Sequence, residues 1–88
     1  MKILVAEDDY VSRLLVKKQV KKIGHEVIEA ENGAIAFQLF LEHKPKMIIS
    51  DWMMPEMDGI ELCQKVRGSD IKTYAYIILL TAKDKMTD

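Results

Sequence analysis

The chain has 88 residues, enough for one domain whose core covers only a modest share of its surface, so marginal stability is expected unless something supplements that core. Its 13 Lys and Arg nearly balance 14 Asp and Glu, which leaves no overall field to draw nucleic acid or an anionic membrane as the main partner. No apolar run approaches a membrane span, the amino terminus reads straight into a strand, and the lone Cys63 excludes an internal disulfide, so a cytoplasmic protein is expected.

Lys2 to Ala6 is a short apolar run suited to a strand buried on both faces. Val11, Leu14, Leu15, Val20 and Ile23 then recur at helical spacing, and Gly24 stops that helix. Glu26 to Ala30, brief and flanked by acids, reads as an edge strand. Asn32-Gly33 turns the chain into a second helix with Ala36, Phe37, Phe40 and Leu41 on one side, and Pro45 marks its exit. Met47 to Ser50 forms a third strand running into Asp51. After the loop, Asp58 is placed to cap a third helix, with Glu61 in the position of a capping box and Ile60, Cys63 and Val66 facing inward, ending near Gly68. Tyr76 to Thr81 is a fourth strand, and Lys83 to Asp88 opens as a further helix. Strands alternating with helices predict an α/β domain over residues 1–88 built on an open parallel sheet with right-handed crossovers.

Two apolar runs end in acids: Ile3-Leu4-Val5-Ala6 in Glu7-Asp8-Asp9, and Met47-Ile48-Ile49-Ser50 in Asp51. Open parallel sheets place ligand sites at these carboxyl ends of strands. Carboxylates gathered there repel one another, so they either take up protons or bind a hard cation, and all-oxygen ligation with several waters suits Mg²⁺. Glu7, Asp8 and Asp51 are the ligand candidates. A cation beside Asp51 would neutralise charge on an incoming phosphoryl group and let the carboxylate act as nucleophile, with the Thr81 hydroxyl placed to hydrogen-bond that group. Acids near helix starts also serve as caps, and for Asp8 or Asp9 alone that explanation would suffice. The joint pattern with the Met-Pro loop and Thr81-Ala82 favours a site.

On Ile3-Leu4-Val5-Ala6-Glu7-Asp8-Asp9, Ile49-Ser50-Asp51-Trp52-Met53-Met54-Pro55-Glu56-Met57-Asp58-Gly59 and Leu79-Leu80-Thr81-Ala82, the chain resembles the receiver domain of bacterial two-component response regulators. The resemblance implies a flavodoxin-like fold and a phospho-acceptor signalling domain rather than an enzyme. It implies that Asp51 accepts a phosphoryl group from the phosphohistidine of a sensor histidine kinase or phosphotransfer protein. Glu7, Asp8 and Asp51 would bind Mg²⁺ with the backbone carbonyl of Met53, and Thr81 would be the hydroxyl that reports phosphorylation. Family members continue through a fourth helix, a fifth strand whose lysine contacts the phosphoryl group, and a fifth helix. The chain therefore reads as a receiver truncated after its fourth strand, with Lys83 and Lys85 too close to that strand to replace the lysine.

Truncation would leave the fourth strand as an exposed apolar edge, which predicts self-association with Tyr74, Tyr76, Ile78 and Leu80 near the contact. The alternative function is accordingly a non-phosphorylated dimerisation module. A hydrolase of the aspartyl-phosphate type is disfavoured because it wants a second Asp two residues after the nucleophile, where this chain has Met53. Lys17-Lys18 and Lys21-Lys22 read as a solvated basic ridge on the first helix. No aromatic residues interleave with it to bind nucleic acid directly. His25 and His43 sit near helix ends without metal-ligand spacing, and Met53, Met54 and Met57 are expected to pack the loop rather than hold a soft metal.

Overall fold

The computed structural model describes residues 1–54, 56–69 and 75–80. Pro55, Tyr74, Thr81, Ala82, Lys83 and Lys85, together with the helix expected from Lys83, lie outside the described residues. Strand and helix alternate as the periodicity predicts: β1 (Lys2–Ala6), α1 (Tyr10–Lys22), β2 (Glu26–Ala30), α2 (Gly33–His43), β3 (Met47–Asp51), α3 (Gly59–Arg67) and β4 (Tyr76–Leu80). The strands form one parallel sheet in the order β2-β1-β3-β4, so β2 is the edge strand its acids foretold. Chain order reverses between β1 and β3, which makes the gap beyond their carboxyl ends the switch point of the sheet.

Alternation along the strands divides the core. Leu4, Ala6, Ala30 and Ile48 face Ala36 and Phe40 of α2 and Leu62 and Val66 of α3. Ile3 and Val5 point the other way, onto Val20 of α1, with Val16, Val27, Met47 and Ile49 packed around them. The helices start where short polar side chains satisfy otherwise unpaired amides. Asp9, Asn32 and Asp58 each accept at 2.8 Å from the N–H three residues on, belonging to Ser12, Ile35 and Glu61.

The helix faces match the spacing in part: Val20, Ala36, Phe37, Phe40 and Val66 turn inward as predicted, and other positions do not. On α1 the buried line runs through Val16 and Val20, while Val11, Leu15 and Ile23 are exposed. The helix lies over β1 and β2, so one narrow stripe meets the sheet and the flanking apolar residues do not. On α2, Leu41 is exposed and Leu39 packs against the core in its place, with Phe37 stacked on Phe40. On α3 the inward line is Leu62 and Val66, leaving Ile60 exposed and Cys63 half-buried.

Two glycines permit close approaches around the loop after β3. A Cβ on Gly59 would stand 2.5 Å from the Asp51 carbonyl oxygen, and one on Gly33 would collide with the carbonyl of Met57. Both positions need a residue without a side chain, because the atoms in the way are backbone.

Candidate functional site

Register brings the acids together. Ala6 of β1 pairs with Ser50 of β3, so the next residue of each strand, Glu7 and Asp51, emerges side by side at the switch point. Asp8 follows Glu7 on the same lip. One carboxylate oxygen from each of Glu7, Asp8 and Asp51 lies within 4.8 Å of the others. The side chains differ in setting: Glu7 is 4% exposed, Asp51 half-buried and Asp8 open to solvent.

Glu7 is held at every polar group it has. Its N–H donates to the Ala30 carbonyl at 3.0 Å, its Oε2 accepts from the Asp9 N–H at 3.0 Å, and its carbonyl accepts from Arg13 Nη1 at 2.8 Å. Burial pushes its carboxyl up from 4.5 to about 7. The Asp9 amide works against that rise, while a hydrogen bond with the Asp8 side chain and the charges of Asp51 and Asp8 add to it. An acid kept short of water beside two others is a group that a divalent cation would relieve.

Asp51 ends β3, and its Oδ1 accepts from the Trp52 N–H at 2.8 Å. The same amide also reaches the Leu80 carbonyl at 3.3 Å, and the Trp52 carbonyl accepts from the Gly59 N–H at 2.8 Å. The residue is therefore tied to β4 on one side and to the start of α3 on the other. Between them the loop passes through Glu56 in left-handed backbone, at φ 72°. Met54 and Met57 pack against the core as expected, whereas Met53 and Trp52 are exposed. His25 and His43 stand apart from this cluster: His25 Nδ1 is 3.2 Å from the amino-terminal nitrogen, and His43 lies 3.8 Å from Glu42.

The basic ridge is less uniform than its sequence suggests. Lys17 turns to Glu29 of β2, 2.7 Å away, and lowers the Glu29 carboxyl by hydrogen bonding, while Lys18, Lys21 and Lys22 stay exposed. Arg13 shares Glu29, at 3.3 Å. Neither Arg13 nor Glu29 stands out in the sequence. The only trace is Arg13 falling one turn into the helix that Asp9 caps.

An acidic cluster thus lies at the switch point of a small parallel sheet, followed by a loop against which Gly33 and Gly59 pack closely. The family model of the response regulator receiver domain matches residues 3–88, and the chain belongs to that family. It is 39% identical over 85 residues to a chemotaxis protein CheY homologue of Campylobacter jejuni, covering 94% of this chain and 65% of that protein. It is 42% identical to part of histidine kinase P4 of Formosa agariphila, covering 96% of this chain and 6% of the kinase. The chain thus spans just under two thirds of the chemotaxis homologue and a small part of the kinase. Among solved structures, the response regulator TrrA of Thermotoga maritima in complex with Mg²⁺ and BeF superposes with a TM-score of 0.85 at 35% identity, covering 98% of this chain and 73% of that one. The parallel sheet of four strands and the three helices found among the described residues are accordingly the flavodoxin-like receiver architecture.

No helix among the described residues is long and apolar enough to cross a membrane.

Proposed function

We propose that residues 1–88 act as the phospho-accepting module of a two-component phosphorelay, with Asp51 as the acceptor. The observation that carries this reading is the convergence of the Glu7, Asp8 and Asp51 carboxylate oxygens within 4.8 Å at the switch point. The donor set fits Mg²⁺: all oxygen, few protein ligands, and one side open to water through exposed Asp8. Glu7, Asp8, Asp51 and the Met53 backbone carbonyl would hold the ion. When bound, Mg²⁺ offsets the negative charge of the carboxylates and of the phosphoryl group that approaches them.

The chain's own residues supply orientation and the nucleophile. With Oδ1 of Asp51 engaged by the Trp52 amide, Oδ2 attacks phosphorus. An O–P bond forms as the P–N bond of the donor phosphohistidine breaks, and the electron pair of that bond returns to the imidazole nitrogen. The product is an acyl phosphate on Asp51, one per chain, so the domain is a stoichiometric acceptor rather than a turnover catalyst. Thr81 follows β4 directly and is assigned to contact the phosphoryl oxygens. The donor is a sensor histidine kinase or a phosphotransfer protein in the cytoplasm, and the module makes no direct contact with nucleic acid.

The test is intact mass after incubation with acetyl phosphate and Mg²⁺. One phosphoryl adduct is expected on the native chain and none on Asp51→Asn; equal incorporation in the variant would remove Asp51 from the role.

A second reading, self-association as the output, is favoured by β4. Among the described residues it is the outer strand beyond β3, with Tyr76 63% and Ile78 46% exposed. Such an edge pairs readily with a second copy. Light scattering across working concentrations decides it, since a mass fixed at one chain is incompatible with that output.

A further inference from the structure

The groups that orient the acidic cluster extend beyond the acids themselves. The carbonyl of Glu7 belongs to the peptide that joins Glu7 to Asp8, so whatever holds that oxygen restrains the plane from which both side chains depart. The holder is a side chain from α1: Arg13 Nη1, donating at 2.8 Å. Arg13 is itself aimed by a second contact, its Nε donating to Glu29 Oε1 of β2 at 3.3 Å. Glu29 is in turn fixed by Lys17 through its other oxygen at 2.7 Å. The planar guanidinium thus bridges the end of β1 and the edge strand, with the Tyr10 ring 5.6 Å from its carbon. Its side chain is 14% exposed and borders an open cleft of about 330 Å³ lined also by Glu29, Glu31 and Ile35. Released from Glu29, the side chain has room to swing into that cleft.

We propose that Arg13, aimed by Glu29, is a positioning residue that sets the Glu7–Asp8 peptide for cation binding. The inference rests on the reading of Glu7, Asp8 and Asp51 as the Mg²⁺ site, and goes beyond it by assigning that site an orienting arm from α1 and β2. A lysine cannot replace the arm, because a single ammonium lacks the fork that reaches the Glu7 carbonyl and Glu29 together.

Positioning and simple charge act in opposite directions here. Arg13 is a cation near a cation site, so if its field alone mattered, removing it would tighten Mg²⁺ binding. If it orients the ligands, removing it weakens binding although a repulsive charge has gone. The experiment is an MgCl₂ titration at constant ionic strength and well below the unfolding temperature. It is followed by fluorescence of Trp52, whose amide sits on Asp51. The native chain, Arg13→Gln, Arg13→Lys and Glu29→Gln are compared.

We expect Arg13→Gln and Arg13→Lys to bind Mg²⁺ about tenfold more weakly, the scale at which partners that orient metal ligands act, and Glu29→Gln to lose about threefold. Unchanged or tighter binding in Arg13→Gln overturns the proposal, as does native affinity in Arg13→Lys. Should both Arg13 variants fail to fold, native affinity in Glu29→Gln overturns it. No binding by the native chain removes the cation site itself, and the proposal with it. Binding by the native chain that the variants match removes only the role of Arg13.

Discussion

The two faces of the sheet are built differently. Under α2 and α3, Phe40, Leu62, Leu4 and Ile48 interlock in a core from which water is excluded. Under α1 the buried residues are Ile3, Val5 and Val20, and Val11, Leu15 and Ile23 remain in solvent. Among the described residues the α1 side adds to its apolar contacts a set of side-chain bonds reaching β2 and the end of β1: the Arg13 link to the Glu7 carbonyl, and the Glu29 pairs with Arg13 and Lys17. Apolar burial scales with area and is indifferent to direction, whereas hydrogen bonds lose strength steeply when misaligned. The α2–α3 face therefore holds the larger described apolar core, while the α1 face carries the contacts that reach the Glu7–Asp8 peptide.

The largest effect that would break this contrast is a truncation on each face. Phe40→Ala should cost about 3–5 kcal/mol, as emptying a large buried site does. Val20→Ala under α1 should cost about 2 kcal/mol or less, because less area is lost and the thin face relaxes more readily. Urea unfolding measures both, and equal losses would erase the distinction.

A smaller effect separates the strand-end acids from the α1–β2 ion pairs by pH. The folded carboxyl of Glu7 is raised from 4.5 to about 7, so in this window the native state holds a proton that the unfolded chain gives up. Metal-free stability should therefore fall as pH climbs from 4.5 through 7, by at most about 3 kcal/mol, and Glu7→Gln should flatten the slope. Added Mg²⁺ binds the carboxylate form, so its stabilisation should grow over the same interval. Glu29 on the α1 face has the opposite sign. Its carboxyl is lowered by Lys17, so its contribution is present above the ordinary value of 4.5 and disappears on acidification. Thermal unfolding across pH with a chelator present checks both signs. A rise in metal-free stability through neutrality would show that Glu7 is not held as the structure places it.

Much of the fold and the core of the candidate site can be read from residues close together in the chain. The bounds of β1 and β2, the starts of α2 and α3, and the Asp58 cap follow from local periodicity and short-range turn and capping chemistry. The positions of Glu7 and Asp51 at strand ends follow from apolar runs that stop in acids. Other features resist such a reading. Val11, Leu15, Leu41 and Ile60 fit helical spacing as well as the residues that are buried, because each helix carries more apolar positions than its stripe on the sheet can cover.

Composition, period and turn chemistry thus determined the class of fold, the order of its elements and the acids at its strand ends, since each depends on neighbours within a few residues. Only the tertiary structure decided that Glu7 is buried beside Asp51, that Lys17 leaves its ridge for Glu29, and that Arg13 reaches the Glu7 carbonyl. Those outcomes depend on strand register and on where α1 crosses β2. Both are set by the packing of segments distant in the chain, where many local patterns are equally satisfied and close packing selects one.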